Sequence, residues 1–175
     1  MPVEEQTQND MNLFLYTGYF TRHSQRLTVP NREITHLSFL LHKEGTGSTG
    51  DITFAIRRVS DDGIIANKVW GDSGDLPAVD TWLEVELDTP VVVDEEVRLS
   101  CEFTSGDSDN CPVTRAKNSD VKADEYLCWY NGSWVSQTDR DFAYKYTYEE
   151  PAPEVPRSLA NVRTLVDVRE LAPAR

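Results

Sequence analysis

The stretch Cys128-Trp-Tyr-Asn-Gly-Ser-Trp-Val-Ser-Gln-Thr-Asp-Arg-Asp-Phe-Ala-Tyr-Lys-Tyr-Thr-Tyr148 decides the fold. Asn131-Gly132 lies between two short aromatic runs, Trp129-Tyr130 and Trp134-Val135. Asn and Gly accept the positive φ values that a tight type I′ turn demands, so the spacing predicts a β-hairpin. After a polar break at Ser136 to Arg140, Phe142, Tyr144, Tyr146 and Tyr148 alternate with Ala143, Lys145 and Thr147. A period of two with one wholly aromatic face predicts a strand lying on a core.

The same alternation recurs upstream. In Trp82-Leu-Glu-Val-Glu-Leu-Asp-Thr-Pro90, Leu83, Val85 and Leu87 oppose Trp82, Glu84 and Glu86, the pattern of a sheet with one wet face. Ile52, Phe54 and Ile56 face away from Thr53, Ala55 and Arg57, and Asp61-Asp62-Gly63 turns the chain into a strand over Ile64 to Trp70. Met11 to Phe20 predicts a first strand with Gly18 at a bulge, and Pro30-Asn31 a turn ahead of a strand over Ile34 to His42. Val91 to Phe103 predicts one strand or two, parted at Asp94-Glu95, and Pro112 to Lys117 a short edge strand. About eight to ten short strands between regular turn signals, with no helical periodicity over 11–148, predict an all-β, antiparallel β-sandwich of jelly-roll topology.

Residues 1–10 lack apolar spacing and read as a flexible N-terminal arm before the sandwich at 11–148. Pro151, Pro153 and Pro156 make 149–157 a stiff, extended linker. The segment 158–175 turns apolar again, with Leu159, Val162, Leu165, Val166, Val168 and Leu171 as candidate assembly contacts. Leu159, Val162 and Val166 would share one face of a helix capped by Ser158. Thr164 to Leu171 reads equally as an added strand. Either form needs a surface to cover it, on its own sandwich or on a neighbouring subunit.

A formal charge of −13 argues against nucleic acid or an anionic membrane as partner. No apolar run approaches the ~20 residues of a membrane span, and the acidic, polar start Met1-Pro-Val-Glu-Glu-Gln6 is unlike a secretory signal. The expectation is a protein that stays where it is made, or leaves the cell inside an assembly or after lysis. Cys101, Cys111 and Cys128 form no Cys-x-x-Cys pair. Cys101 and Cys128 fall in predicted strands and read as small buried hydrophobes, with a Cys101–Cys111 bridge as the alternative.

Chemistry-bearing motifs are sparse. No phosphate loop, nucleophile elbow or His-Glu-x-x-His occurs, so no catalytic residue is assigned. His36 and His42 have even spacing and could share a sheet face, where surface histidines are commoner than metal ligands. Asp107, Asp109 and Asn110 supply the hard oxygens of a calcium-loop fragment, without the glycine and distal glutamate of the full pattern. A solvated turn is the simpler reading of these residues and is preferred. Trp129, Tyr130 and Trp134 form the candidate ligand-binding group, because exposed rings on a sandwich stack on sugars. Core packing and hairpin clamping compete with that reading.

Taken in order, Leu-Ser-Phe-Leu-Leu (37–41), Gly-Asp-Ile-Thr-Phe-Ala-Ile-Arg (50–57), Asp-Asp-Gly (61–63), Trp-Leu-Glu-Val-Glu-Leu-Asp-Thr-Pro-Val-Val-Val (82–93), Trp-Tyr-Asn-Gly-Ser-Trp (129–134) and Asp-Phe-Ala-Tyr-Lys-Tyr (141–146) resemble a jelly-roll module. Such modules recur in appendage, fibre and decoration proteins of tailed viruses, and in carbohydrate-binding or adhesion proteins of bacteria. The resemblance covers about 11–148. Together with the missing catalytic motifs, the absence of a signal-like start and two candidate docking segments, it leads to the expectation of a non-enzymatic structural protein of a virus particle. This would be a capsid decoration, turret or tail-appendage subunit, anchored through its N-terminal arm (1–10) and the tail 157–175. Its partners would be other virion proteins and further copies of itself, and its place the virion after synthesis in the host cytoplasm. The alternative is a carbohydrate-binding or adhesion module, with a host-surface glycan as ligand. No cofactor is expected; calcium at the 107–110 loop is the one alternative left open.

Overall fold

The structure, a computed structural model, describes residues 1–46 and 48–150. Eleven strands make up these residues, with a single 3₁₀ turn at Ser73–Asp75. They are β1 (Val3–Gln6), β2 (Met11–Phe14), β3 (Arg22–Glu44), β4 (Asp51–Arg58), β5 (Ile64–Asp72), β6 (Thr81–Glu102), β7 (Cys111–Lys117), β8 (Tyr126–Tyr130), β9 (Trp134–Gln137), β10 (Asp141–Phe142) and β11 (Tyr144–Glu149). All the strand pairings are antiparallel, and the layers stack as a β-sandwich.

Two long strands organise it. β3 and β6 pair along most of their length, and both bend from one layer to the other. At the bend, Thr35 of β3 opposes residues 87–90 of β6, and Pro30-Asn31 opposes Asp94. These insertions kink the ribbon without ending it, as bulges do. The predicted turn at Pro30-Asn31 is therefore a bulge inside a continuous strand. Asn31 takes a φ of 42° there, and its N–H donates to Asp94 Oδ1 at 2.9 Å. Val91 to Phe103 is likewise no separate strand, since β6 runs unbroken through Pro90 and Asp94-Glu95.

In the first layer the order is β1-β11-β3-β6, using residues 33–39 of β3 and the N-terminal half of β6. In the second it is β9-β8-β3-β6-β4-β5, using the opposite halves of the two long strands. β7 continues beside the end of β3 and carries β2 and β10. Between the layers Phe39 meets Phe54 edge to face, with centroids 4.8 Å apart and planes at 87°, and Phe142 packs on Phe39 at 5.3 Å. Phe142, Tyr144 and Tyr146 are fully buried and Tyr148 nearly so, as their alternation predicts. Ile52, Phe54 and Ile56 also point inward together. All three cysteines are buried free thiols, so the Cys101–Cys111 bridge does not form.

The N-terminal arm needs correction. Residues 3–6 are extended but not free: β1 pairs with β11 in the register Val3↔Thr147 to Gln6↔Tyr144. Gln6 is buried, and its Nε2 donates to Phe142 O at 3.2 Å. A four-residue edge strand with one buried position carries no alternation strong enough to read. Met11 to Phe20 is also shorter than predicted, for β2 ends at Phe14 and Gly18 sits in a turn with a φ of 86°.

Candidate functional site

The β8–β9 hairpin forms as predicted, but its turn differs. Tyr130 pairs with Trp134, leaving a three-residue loop in which Gly132 takes a φ of 76° and Asn131 stays at negative φ. The extra residue decides a face. A two-residue turn would put Trp134 opposite Trp129, whereas the observed register puts it opposite Tyr130.

Trp134 consequently lies on the outer face of the second layer, closed over by the 59–63 turn. Its Nε1 donates to Asp62 Oδ1 at 2.7 Å, and Arg22 Nη1 donates to Asp62 Oδ2 at 2.8 Å. Arg57 grips Glu102 with two bonds, Nε to Oε1 at 2.6 Å and Nη2 to Oε2 at 2.9 Å. Those bonds to Glu102 hold the Arg57 guanidinium above its usual range. Arg22 sits 4.2 Å over the Tyr130 ring and Arg98 4.8 Å over Trp134. Ser24, Ala55, Ser100 and Cys128 are buried beneath this lattice. The rings of Tyr130 and Trp134 are thus engaged by arginines belonging to their own sheet.

Trp129 points the other way and packs against the core. Its ring stacks on Phe20 at 5.0 Å and an interplanar angle of 23°. Phe20 leads on to Tyr19, and Tyr19 stacks on Tyr16 at 5.0 Å, forming an aromatic row at one pole of the sandwich. The three candidate sugar-binding residues do not share a platform, and the row containing Trp129 runs through residues that carried no strong sequence signal. Nearby, Asp107 Oδ1 accepts from Asp109 N at 2.9 Å, Asn110 N at 3.0 Å and Asn110 Nδ2 at 3.3 Å. That oxygen closes its own turn. Among the described residues, no group of three or more His, Cys, Asp or Glu side chains is placed to hold a metal ion. His36 and His42 bond separately, to Thr35 Oγ1 at 2.8 Å and Asp80 Oδ1 at 2.7 Å.

The two flanks of the sandwich are treated differently. On the flank that ends in β1 and β9, each paired on one side only among the described residues, residues 121–125 fill the gap between the layers. Asp141, fully buried, accepts from Gln25 Nε2 at 2.6 Å and from the N–H groups of Val121 and Lys122 at 2.7 and 3.0 Å. Glu125 accepts from Tyr144 OH at 2.7 Å, and Lys122 pairs with Glu4. Burial would raise the Glu4 carboxyl, but Lys122 and Arg32 beside it outweigh that and hold it below its ordinary value. Desolvation wins at Glu125, whose carboxyl is pushed up.

The opposite flank is open. The N-terminal half of β6 pairs with β3 on one side only, and β5 with β4 only, among the described residues. Between the two unpaired edges runs a groove, lined in one part by Ile65, Ala66, Leu87 and Val91 and in another, of about 530 Å³, by Val69, Trp70, Val85 and Leu87. Lys68 spans it to pair with Asp88. Val69 and Val92 at its margins are 46% and 53% exposed. Unpaired edges are normally shielded, because they template pairing with another strand. This groove is the candidate functional site.

The predicted assembly contacts Leu159, Val162, Leu165, Val166, Val168 and Leu171 lie outside the described residues. The fold defines the class, an antiparallel all-β sandwich. No known family model matches the chain, and no curated protein matches it in sequence.

Proposed function

We propose that the chain is a non-enzymatic structural subunit of a virus particle, a capsid decoration, turret or tail-appendage protein. The observation that carries this reading is the asymmetry of the flanks. Both flanks end in strands paired on one side only among the described residues, but one holds a buried polar network between its layers while the other leaves an apolar groove for another chain to complete. The carboxylates of the outer face support it as well, since Asp62, Glu96 and Glu102 are each committed to arginines. With β1 built into the sheet, the joining role falls to the C-terminal segment. Removing 151–175 should leave a folded sandwich that no longer co-sediments with particles made in its host. A truncated chain that still joins them normally would end this reading.

A specific observation favours a second reading, a carbohydrate-binding module. The aromatic row at the pole exposes Tyr19 at 40%. Saturable quenching of Trp129 fluorescence by a glycan, lost on Tyr19→Ala, would select it over the first.

A further inference from the structure

We propose that the groove between β5 and β6 takes residues 162–170 of a second copy of this chain as an added strand. The inference rests on the assembly reading above only in treating the C-terminal segment as the joining element.

The occupant is indicated by pattern, charge and direction. In an extended chain Val162, Thr164, Val166 and Val168 fall on one face, a row of β-branched residues suited to a pleated, half-buried position. On the other face fall Arg163, Leu165, Asp167 and Arg169. Along the open edge of β6, Leu83, Val85 and Leu87 turn inward while Glu84, Glu86 and Asp88 are exposed. A strand laid against that edge would add its valines to the inward row and set Arg163 and Arg169 toward the two ends of the outward row of carboxylates. That makes two attractive cross-strand contacts against the single like charge of Asp167. Residues 157–175 hold Arg157, Arg163, Arg169 and Arg175 against Asp167 and Glu170, a net excess of positive charge in a chain whose total is −13.

Direction favours a second copy over the same molecule. Glu149 pairs with Glu33, and Glu33 with Val92, so β11 ends two strands away from the Val91–Val92 end of the groove. β11 and β6 run the same way, each being antiparallel to β3. The chain therefore leaves β11 heading away from the groove, which extends back toward Trp82. Pro151, Pro153 and Pro156 favour continuing that heading, at about 3.1 Å per residue, toward a neighbour.

Sedimentation velocity of the full chain tests this with charge reversals. The natural chain should self-associate in a concentration- and salt-dependent way. Arg163→Glu with Arg169→Glu should weaken association about tenfold or more, and Glu84→Lys with Glu86→Lys should do the same while leaving the thermal melt nearly unchanged. Combining the four should restore much of the loss. Val166→Asp with Val168→Asp should abolish association whatever the salt. A natural chain that stays monomeric throughout, or that cross-links its tail only within one molecule, overturns the proposal. Association indifferent to all these substitutions overturns it too, and if deletion of 151–175 still prevents joining the particle, the structural role survives that result.

Discussion

Trp134 donates its indole N–H to Asp62 at 2.7 Å, joining the tip of the β8–β9 hairpin to the turn between β4 and β5. The bond ties together residues 72 positions apart in the chain and closes a lid over the small residues Ser24, Ala55 and Ser100. Because Asp62 also receives Arg22, the carboxylate works as a shared anchor rather than a surface charge.

Trp134→Phe keeps an aromatic ring but removes the N–H donor and one of the indole's two fused rings. It should lower unfolding free energy by about 1.5 kcal/mol, the lower end for a bond to a charged group, since Asp62 keeps Arg22 as a partner. Glu102→Gln should cost more, on the order of 3 kcal/mol, because it takes the charge from both bonds that hold the nearly buried Arg57 and leaves it only Asp62, farther away at 3.6 Å. Urea melts of the two variants give the order directly, and equal losses would contradict the geometry.

Removal of residues 1–8 should destabilise the sandwich, although nothing in their sequence advertises a strand. The β1–β11 ladder, the Gln6 bond to Phe142 and the Glu4 pairing with Lys122 and Arg32 are lost together. At about 0.5–1.5 kcal/mol net per hydrogen bond, the cost is on the order of 2–4 kcal/mol. An unchanged urea midpoint would mean that β1 is dispensable.

His23 makes stability depend on acid. Burial pushes its pKa down to about 3 from 6.5, and its Nδ1 lies 3.0 Å from Thr114 Oγ1. Between these two values the unfolded chain binds a proton that the folded chain refuses. This contribution is therefore complete above pH 6.5 and is lost as pH falls toward 3, by up to about 1.4 kcal/mol per pH unit. Glu125, with its carboxyl raised, acts in the opposite sense: the folded chain holds that proton more tightly, so stability falls as pH rises past the ordinary value of 4.5. The urea midpoint followed against pH should lose part of its acid slope in His23→Gln.

Two glycines in positive φ should respond unequally to alanine. At Gly132 (φ 76°) an added Cβ meets nothing within 4 Å, so the cost is the backbone strain alone, about 1–2 kcal/mol. At Gly45 (φ 73°) it would lie 2.1 Å from Asp109 O, so the 104–110 loop must move as well. Gly45→Ala should be clearly the more damaging in thermal melts, and parity would argue against the loop packing.

What the sequence determined by itself was whatever depends on a local period. The inward rows Phe142–Tyr148 and Ile52–Ile56, the hairpin around Gly132, and the burial of Cys101 and Cys128 follow from alternation and turn chemistry, which are written in neighbouring residues. Tertiary structure alone decided how those pieces meet. Pro30-Asn31 looks like a turn, yet it is a bulge because β6 supplies Asp94 as partner from 63 positions away. One extra loop residue sent Trp134 to the outer face, against Arg22 of β3 and Arg98 of β6. The groove exists because β5 and β6 end their layers side by side, and an edge left unpaired is a property of sheet order, which no short run of residues encodes.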